Sequence, residues 1–279
     1  MITQEQIDFI NKSAAHTRYN IIKMIGAGNK GHFGGSLSCT DIVSTLYFYK
    51  MKYDPKNPKW EGRDRFIMSK GHAAYTQYCA LAVLGVIPDE ELWNVKKVGA
   101  MLQGHPDMQK TPGIECNTGS LGQGISQACG IAAGLKLDGS KSKVYTIIGD
   151  GEMAEGQVWE AAMSAYNFKL DNLVVILDKN GLGSAGFWKD RYDYGDIKAK
   201  WSAFGFDVYE CDGHDAESIA NALDATDNKT NGRPSFVLAH TVKGKGLSFA
   251  ENVPSFHNGV MTEQQVEDAL KELAEKMAD

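Results

Sequence analysis

Three apolar runs constrain this chain more than any other feature: "KVYTII" (143–148), "NLVVIL" (172–177) and "SFVLAHT" (235–241). None alternates with polar residues, so each reads as a strand buried on both faces. Between and around them, "EGQVWEAAMSAYNF" and "DAESIANALDAT" carry helical spacing, and "FDVYEC" reads as a further strand. Strand–helix–strand units of this kind predict an α/β fold, a parallel sheet covered by helices on both faces.

The N-terminal part reads differently. Thr3 and Gln6 form a capping box before a stripe of Ile7, Ile10, Ala14, Ile21 and Met24 that stops at Gly26. A second helix is expected over 38–50, a short strand at "RFIMS" (65–69), and helices over 71–86 and 88–98. Residues 104–124, "GHPDMQKTPGIECNTGSLGQG", form a long irregular stretch, which inside a compact domain points to function. Thr262 and Gln265 cap a last helix with Val266, Ala269, Leu270, Leu273 and Met277 on one face. There is no internal repeat. The expectation is one α/β domain over residues 1–279 with an N-terminal helical elaboration.

Composition narrows the function. Thirty of 279 residues are glycine, above the usual ~7 %, and they cluster in "GAGNKGHFGG", "TGSLGQG", "GDG", "NGLGSAG" and "VKGKG", where backbone must turn tightly or approach a ligand. A net charge of −6 without a basic stripe argues against nucleic acid. The five cysteines lack a CxxC pair, which suggests free thiols in a reducing compartment. With no signal peptide and no apolar run of about 20 residues, a soluble cytoplasmic protein is expected, with no membrane partner.

Ligands of parallel sheets sit beyond the carboxyl ends of the strands. Here those ends carry "GDG", "DKNGLG" and "HTVKGKG". If the first two strands are neighbours, Asp150 and Asn180 share a crevice. One carboxylate and one amide oxygen suit Mg²⁺, which takes its remaining ligands from water and a ligand's phosphates. Glycines beside Asp150 admit a diphosphate, and a helix opening near Glu152 offers it a positive dipole end. A lone "GDG" is more often only a turn. Its pairing with Asn180 across one strand–helix–strand unit is far more specific.

"GDGEMAEGQVWEAAMSAYNFKLDNLVVILDKNGLG" resembles the thiamine-diphosphate motif. "GHFGGSLS", "SKGHAAY", "QGHPD" and "TGSLGQG" resemble, in order, the diphosphate-binding domain of the transketolase family, over about residues 10–260. The resemblance implies thiamine diphosphate and Mg²⁺ as cofactors. Asp150, the Asn180 side chain and the Leu182 carbonyl would hold the metal. Gly151, Asn180, His72 and the Gly119-Ser120-Leu121 backbone would contact the cofactor. His32, His105 and His257 would line the channel above it, orienting donor hydroxyls and moving protons with near-neutral pKa values. Glu155 would couple to a partner's activating glutamate. The cofactor supplies the carbanion that carries a two-carbon ketol unit from a ketose phosphate to an aldose phosphate.

Complete members of that family continue into pyrimidine-binding and C-terminal domains. The chain is therefore expected to be one subunit of a split transketolase, active with a second chain as a heterotetramer. Phe33 and Asn258 depart from the commonest family pattern and are expected to border the donor channel. His16, His214 and His240 read as structural, Lys243 and Lys245 as solvated charges or phosphate ligands, and Trp201, Phe204 and Phe206 as core. Alternatives are a 2-oxoacid dehydrogenase or deoxyxylulose-phosphate synthase subunit, or a non-catalytic module that kept the fold. A nicotinamide dehydrogenase is disfavoured because no GxGxxG follows the first strand.

Overall fold

The computed structural model describes residues 2–184, 186–227, 229 and 231–278. Helix α1 (Gln4–Ile25) opens with the expected reciprocal cap between Thr3 and Gln6 and ends at Gly26. Strand β1 (Lys30–Gly31) leads into α2 (Phe33–Ser38) and α3 (Thr40–Thr45), followed by a π-helical turn at Leu46–Lys50. The helix expected over 38–50 runs over 40–50 as α3 and this turn, set off from α2 by Cys39, whose thiol donates back to the Gly35 carbonyl. Strand β2 (Arg65–Met68) and α4 (Ala74–Val83) follow the sequence pattern. Residues 88–98 do not form the expected helix: a 3₁₀ turn covers Asp89–Asn94, and Lys96 turns the chain at φ 64°.

Helix α5 (Gln123–Leu137), which the sequence pattern did not suggest, precedes β3 (Val144–Gly149), α6 (Gly156–Asn167) and β4 (Leu173–Lys179). A small hairpin of β5 (Leu182–Gly183) and β6 (Gly186–Phe187) follows, then α7 (Ile197–Ala203), β7 (Asp207–Asp212), α8 (Ala216–Asp224) and β8 (Ser235–His240). Near the end, β9 (Gly259–Val260) pairs antiparallel with β1, and α9 (Glu263–Ala278) packs against α1.

The main sheet is wholly parallel, in the order β2-β3-β4-β8-β7. Its side chains alternate between two cores. Tyr145, Ile147, Val174, Ile176 and Val237 face the core shared with α1, α3 and α4. Val144, Ile148, Val175, Leu177 and Phe236 face that of α5, α6 and α7, with Trp201 stacked on Phe236 at 4.2 Å. Burial on both faces explains why these strands read as unbroken apolar runs. Trp201 and Phe206 are core as expected, with Phe204 packed at its margin.

The register positions the site. Gly149 pairs with Asp178, and Lys179 pairs with His240. The turns leaving β3, β4 and β8 therefore emerge side by side.

Candidate functional site

A cavity of about 430 Å³ opens at those three strand ends. Asp150, Gly151, Asn180 and Leu182 line its floor, and Gly35, His32, His72, His105 and His257 close it from the N-terminal half. Of the residues singled out in the sequence, Glu155, Gly119 and Leu121 also line it, whereas Ser120, between the last two, is exposed outside the lining.

Close backbone approach builds the wall. A Cβ on Gly71 would lie 2.7 Å from the Gly119 amide nitrogen and from Thr118, so only glycine lets the end of β2 touch the 118–121 loop. Thr118 fastens that loop with a 2.7 Å hydrogen bond to the Met68 carbonyl.

The floor is rigid. Asp150 accepts from the Gly151 and Gly181 amides at 2.8 and 2.5 Å, and its carbonyl accepts from Tyr194 at 2.5 Å. The Asn180 side-chain oxygen accepts from Leu182 N at 3.1 Å, and its amide nitrogen donates to Asp178. Burial, with the Asp178 carboxylate beside it, pushes Asp150 up to about 6. Among the described residues no three His, Cys, Asp or Glu side chains group as a metal site. Asp150, Asn180 and the Leu182 carbonyl instead offer one carboxylate and two neutral oxygens, a donor chemistry that fits Mg²⁺ and not zinc.

Lys243 differs from the solvated reading. It is 3 % exposed, and its ammonium donates to the Leu182 carbonyl at 2.7 Å. Burial lowers it to about 8, opposed by Asp150. A desolvated cation beside those oxygens is placed to meet a diphosphate. Lys245 is half-buried, 4.0 Å from Glu251.

The four histidines form one cluster. Ring centroids lie 5.2 Å apart for His32–His72, 5.7 Å for His32–His257, 5.5 Å for His72–His257 and 6.3 Å for His32–His105. The pKa values of His32, His72 and His257 fall well below the near-neutral values expected. Burial lowers His32 to about 4 and His257 to about 3, and it pulls His72 and His105 down as well; neighbouring cationic groups add to this. All four are neutral imidazoles at neutral pH. The buried His257 Nδ1 has no hydrogen-bond partner, an orphan of the kind a polar ligand satisfies.

Two further expectations are corrected. No α-helix starts at Glu152: a 3₁₀ turn spans Glu152–Ala154 and α6 opens only at Gly156. Glu152 turns inward, where its carboxylate accepts from Ser69, Gly122 N and Gly149 N. It braces the loops rather than starting a dipole aimed at the ligand. Phe33 is fully buried against Phe256, and neither it nor Asn258 lines the cavity. His16 is exposed and His240 pairs with Glu210 at the surface, as the structural reading expected.

Sequence reasoning missed a buried ion pair beneath the floor. Lys70 contacts Asp178 and donates to the Gly35 carbonyl, and Asp178 also accepts from Ser38 and Thr241. The Asp178 charge lifts Lys70 despite burial, and the ammonium holds Asp178 down. The signal lay within quoted motifs, "SKGH" and "DKNG", one residue from His72's glycine and two from Asn180. Trp188, whose ring lies against Gly151 and Gly183, gave no such signal.

Residues 10–277 match the family model described as transketolase, thiamine diphosphate binding domain. The chain is 43 % identical to an apulose-4-phosphate transketolase subunit of Actinobacillus succinogenes, covering 96 % of this chain and 97 % of that one. It is 41 % identical to a 6-deoxy-6-sulfo-D-fructose transketolase subunit of a Clostridium species, over 99 % of this chain and 100 % of that one. It superimposes on the crystal structure of the Campylobacter jejuni transketolase with a TM-score of 0.86 at 29 % identity, covering 98 % of this chain but only 43 % of that one.

Proposed function

Because the chain belongs to the transketolase thiamine-diphosphate-binding family, we propose that it is the diphosphate-binding subunit of a split transketolase. It moves a two-carbon ketol unit between a ketose and an aldose. The observation that carries this reading is the convergence, in one cavity, of four neutral histidines over the oxygens of Asp150, Asn180 and Leu182. Among the described residues no three His, Cys, Asp or Glu side chains group to hold a metal ion, which leaves these imidazoles to meet the hydroxyls of a bound sugar.

Thiamine diphosphate, when bound, supplies the carbanion that cleaves and forms the carbon–carbon bond. Asp150, Asn180 and Leu182 hold Mg²⁺, and His72, Gly151, Asn180 and the 119–121 backbone meet the cofactor. Lys243 sits where a diphosphate's charge would be neutralised. Neutral His32, His105 and His257 accept a hydrogen bond or proton from sugar hydroxyls on one nitrogen while donating on the other. Glu155, exposed at the rim of the cavity, reaches toward a second subunit carrying the pyrimidine-binding and C-terminal domains. The assembly is proposed as a heterotetramer, and free cysteines throughout suit the cytoplasm.

The two relatives are named for a phosphorylated and for a sulfonated ketose. The substrate class proposed is accordingly a ketose with an anionic terminus, sugar phosphates first among them. The test is ketol transfer by this chain with its partner subunit, followed by mass spectrometry of aldose products lengthened by two carbons. His257→Ala is expected to lower kcat/KM on the order of a hundredfold while cofactor binding stays. Undiminished transfer in that variant overturns the role given to His257.

A further inference from the structure

We propose that His214, outside the cavity, is a positioning residue that sets Lys243 against the cofactor site through a single neutral tautomer. The proposal rests on the reading of the cavity given above.

His214 sits on the turn between β7 and α8. Its Nδ1 lies 2.7 Å from Asp41 Oδ2 on α3. Arg18 of α1 grips the same carboxylate with two bonds, at 2.9 and 2.5 Å. The other ring nitrogen, Nε2, accepts from the Val242 amide at 2.8 Å. A backbone N–H can only donate, so Nε2 carries no proton, and the ring's proton is on Nδ1, directed at Asp41. The arrangement is directional: Arg18 fixes Asp41, Asp41 selects the tautomer, and the tautomer presents an acceptor to Val242.

Val242 immediately precedes Lys243. The rest of that loop is pinned from other sides. Asn252 N donates to the Lys243 carbonyl at 2.9 Å, Gly244 N to the Gly34 carbonyl at 3.1 Å, and Thr241 N to the Lys179 carbonyl at 3.1 Å. The Val242 amide is the backbone group next to Lys243 whose partner is a side chain. Because Lys243 is desolvated, a loop that drifts leaves its ammonium away from the Leu182 carbonyl with no water to replace it. Neither His214, Asp41 nor Arg18 lines the cavity, so any effect they have on cofactor binding travels through the loop.

The experiment compares His214→Asn and His214→Gln in the complex of this chain with its partner subunit. Asn keeps a donor near Nδ1 but cannot reach the Val242 amide, whereas the Gln side-chain oxygen can take the place of Nε2. His214→Asn is expected to raise the half-saturating concentration of thiamine diphosphate about tenfold, with the rate at saturating cofactor within about twofold. Amide exchange at Val242 should quicken in this chain, and His214→Gln should recover both properties. An unchanged half-saturation in His214→Asn, or one that Gln fails to recover, overturns the proposal. If the Asn variant does not fold, ¹⁵N imidazole shifts of the parent chain still decide the matter, since a protonated Nε2 contradicts it. Lys243→Met separates the two layers of the argument. A raised half-saturation there with none in His214→Asn sinks the His214 role alone, and none in Lys243→Met sinks the cavity reading of Lys243 as well.

Discussion

Asp150 carries the most specific residue-level expectation. Both its oxygens already accept backbone amides, so replacement by alanine would leave those donors bare. Asp150→Asn keeps an acceptor and removes the charge. It is expected to weaken Mg²⁺-dependent binding of thiamine diphosphate by about a hundredfold, as calorimetric titration of the complex would show, and to cost about 1–3 kcal/mol of stability for the one amide left facing the new NH₂. Equal binding in parent and variant would refute the metal assignment. At Asp41 the expectation concerns acid stability. Burial opposes its charge, but Arg18 and the His214 bond outweigh it and bring the carboxyl down to about 2 from the usual 3.8. A depressed carboxylate stabilises the fold fully above its unfolded value and loses that contribution as pH falls through the folded one. Denaturant unfolding should therefore lose on the order of 2 kcal/mol between about pH 5 and pH 2 from this group. Asp41→Asn should be less stable at pH 7 and flatter across that window. His32, His72, His105, Asp150 and Asn180 were legible as residues because each stands beside glycine at a turn, and His257 because it lies in a loop. Lys70, Asp178 and Glu152 were not, since charges that pair inside the protein look in sequence like any solvated charge.

Elements show the same division. The strands were legible because burial on both faces leaves only apolar residues, and α1 because its cap and stripe are local. Helix α5 was not: "QGISQACGIAAGLKL" mixes glycine and small residues without a clear stripe, and its helix is specified by what it packs against. Gly124 shows how closely. A Cβ there would lie 2.6 Å from the Cα and Oγ of Ser69, at the end of β2. Gly124→Ala, a better helix former in isolation, is expected to destabilise the fold by about 1–3 kcal/mol, measured by urea unfolding. A stabilised variant would show that α5 is not seated against β2 as described. Lys96 turned the expected 88–98 helix aside by adopting φ 64°, a conformation that nothing in its local sequence announces.

At the scale of the molecule, the cavity is built by one parallel sheet and the helices before it, yet it is open on the side where Glu155 is exposed. The chain spans 43 % of the length of the Campylobacter jejuni transketolase, and nearly all of the relatives named as subunits. Among the described residues no helix is long and apolar enough to cross a membrane. As proposed above, this surface meets a second chain, and only together do they transfer a ketol unit. Purification of the chain from its native cells in thiamine diphosphate and Mg²⁺, with native mass spectrometry and a ketol-transfer assay on each fraction, tests this most directly. The expected result is a stoichiometric second chain, with transfer confined to fractions that hold both. Full turnover by this chain alone, or no transfer from the stoichiometric complex across ketose donors with anionic termini, would contradict it.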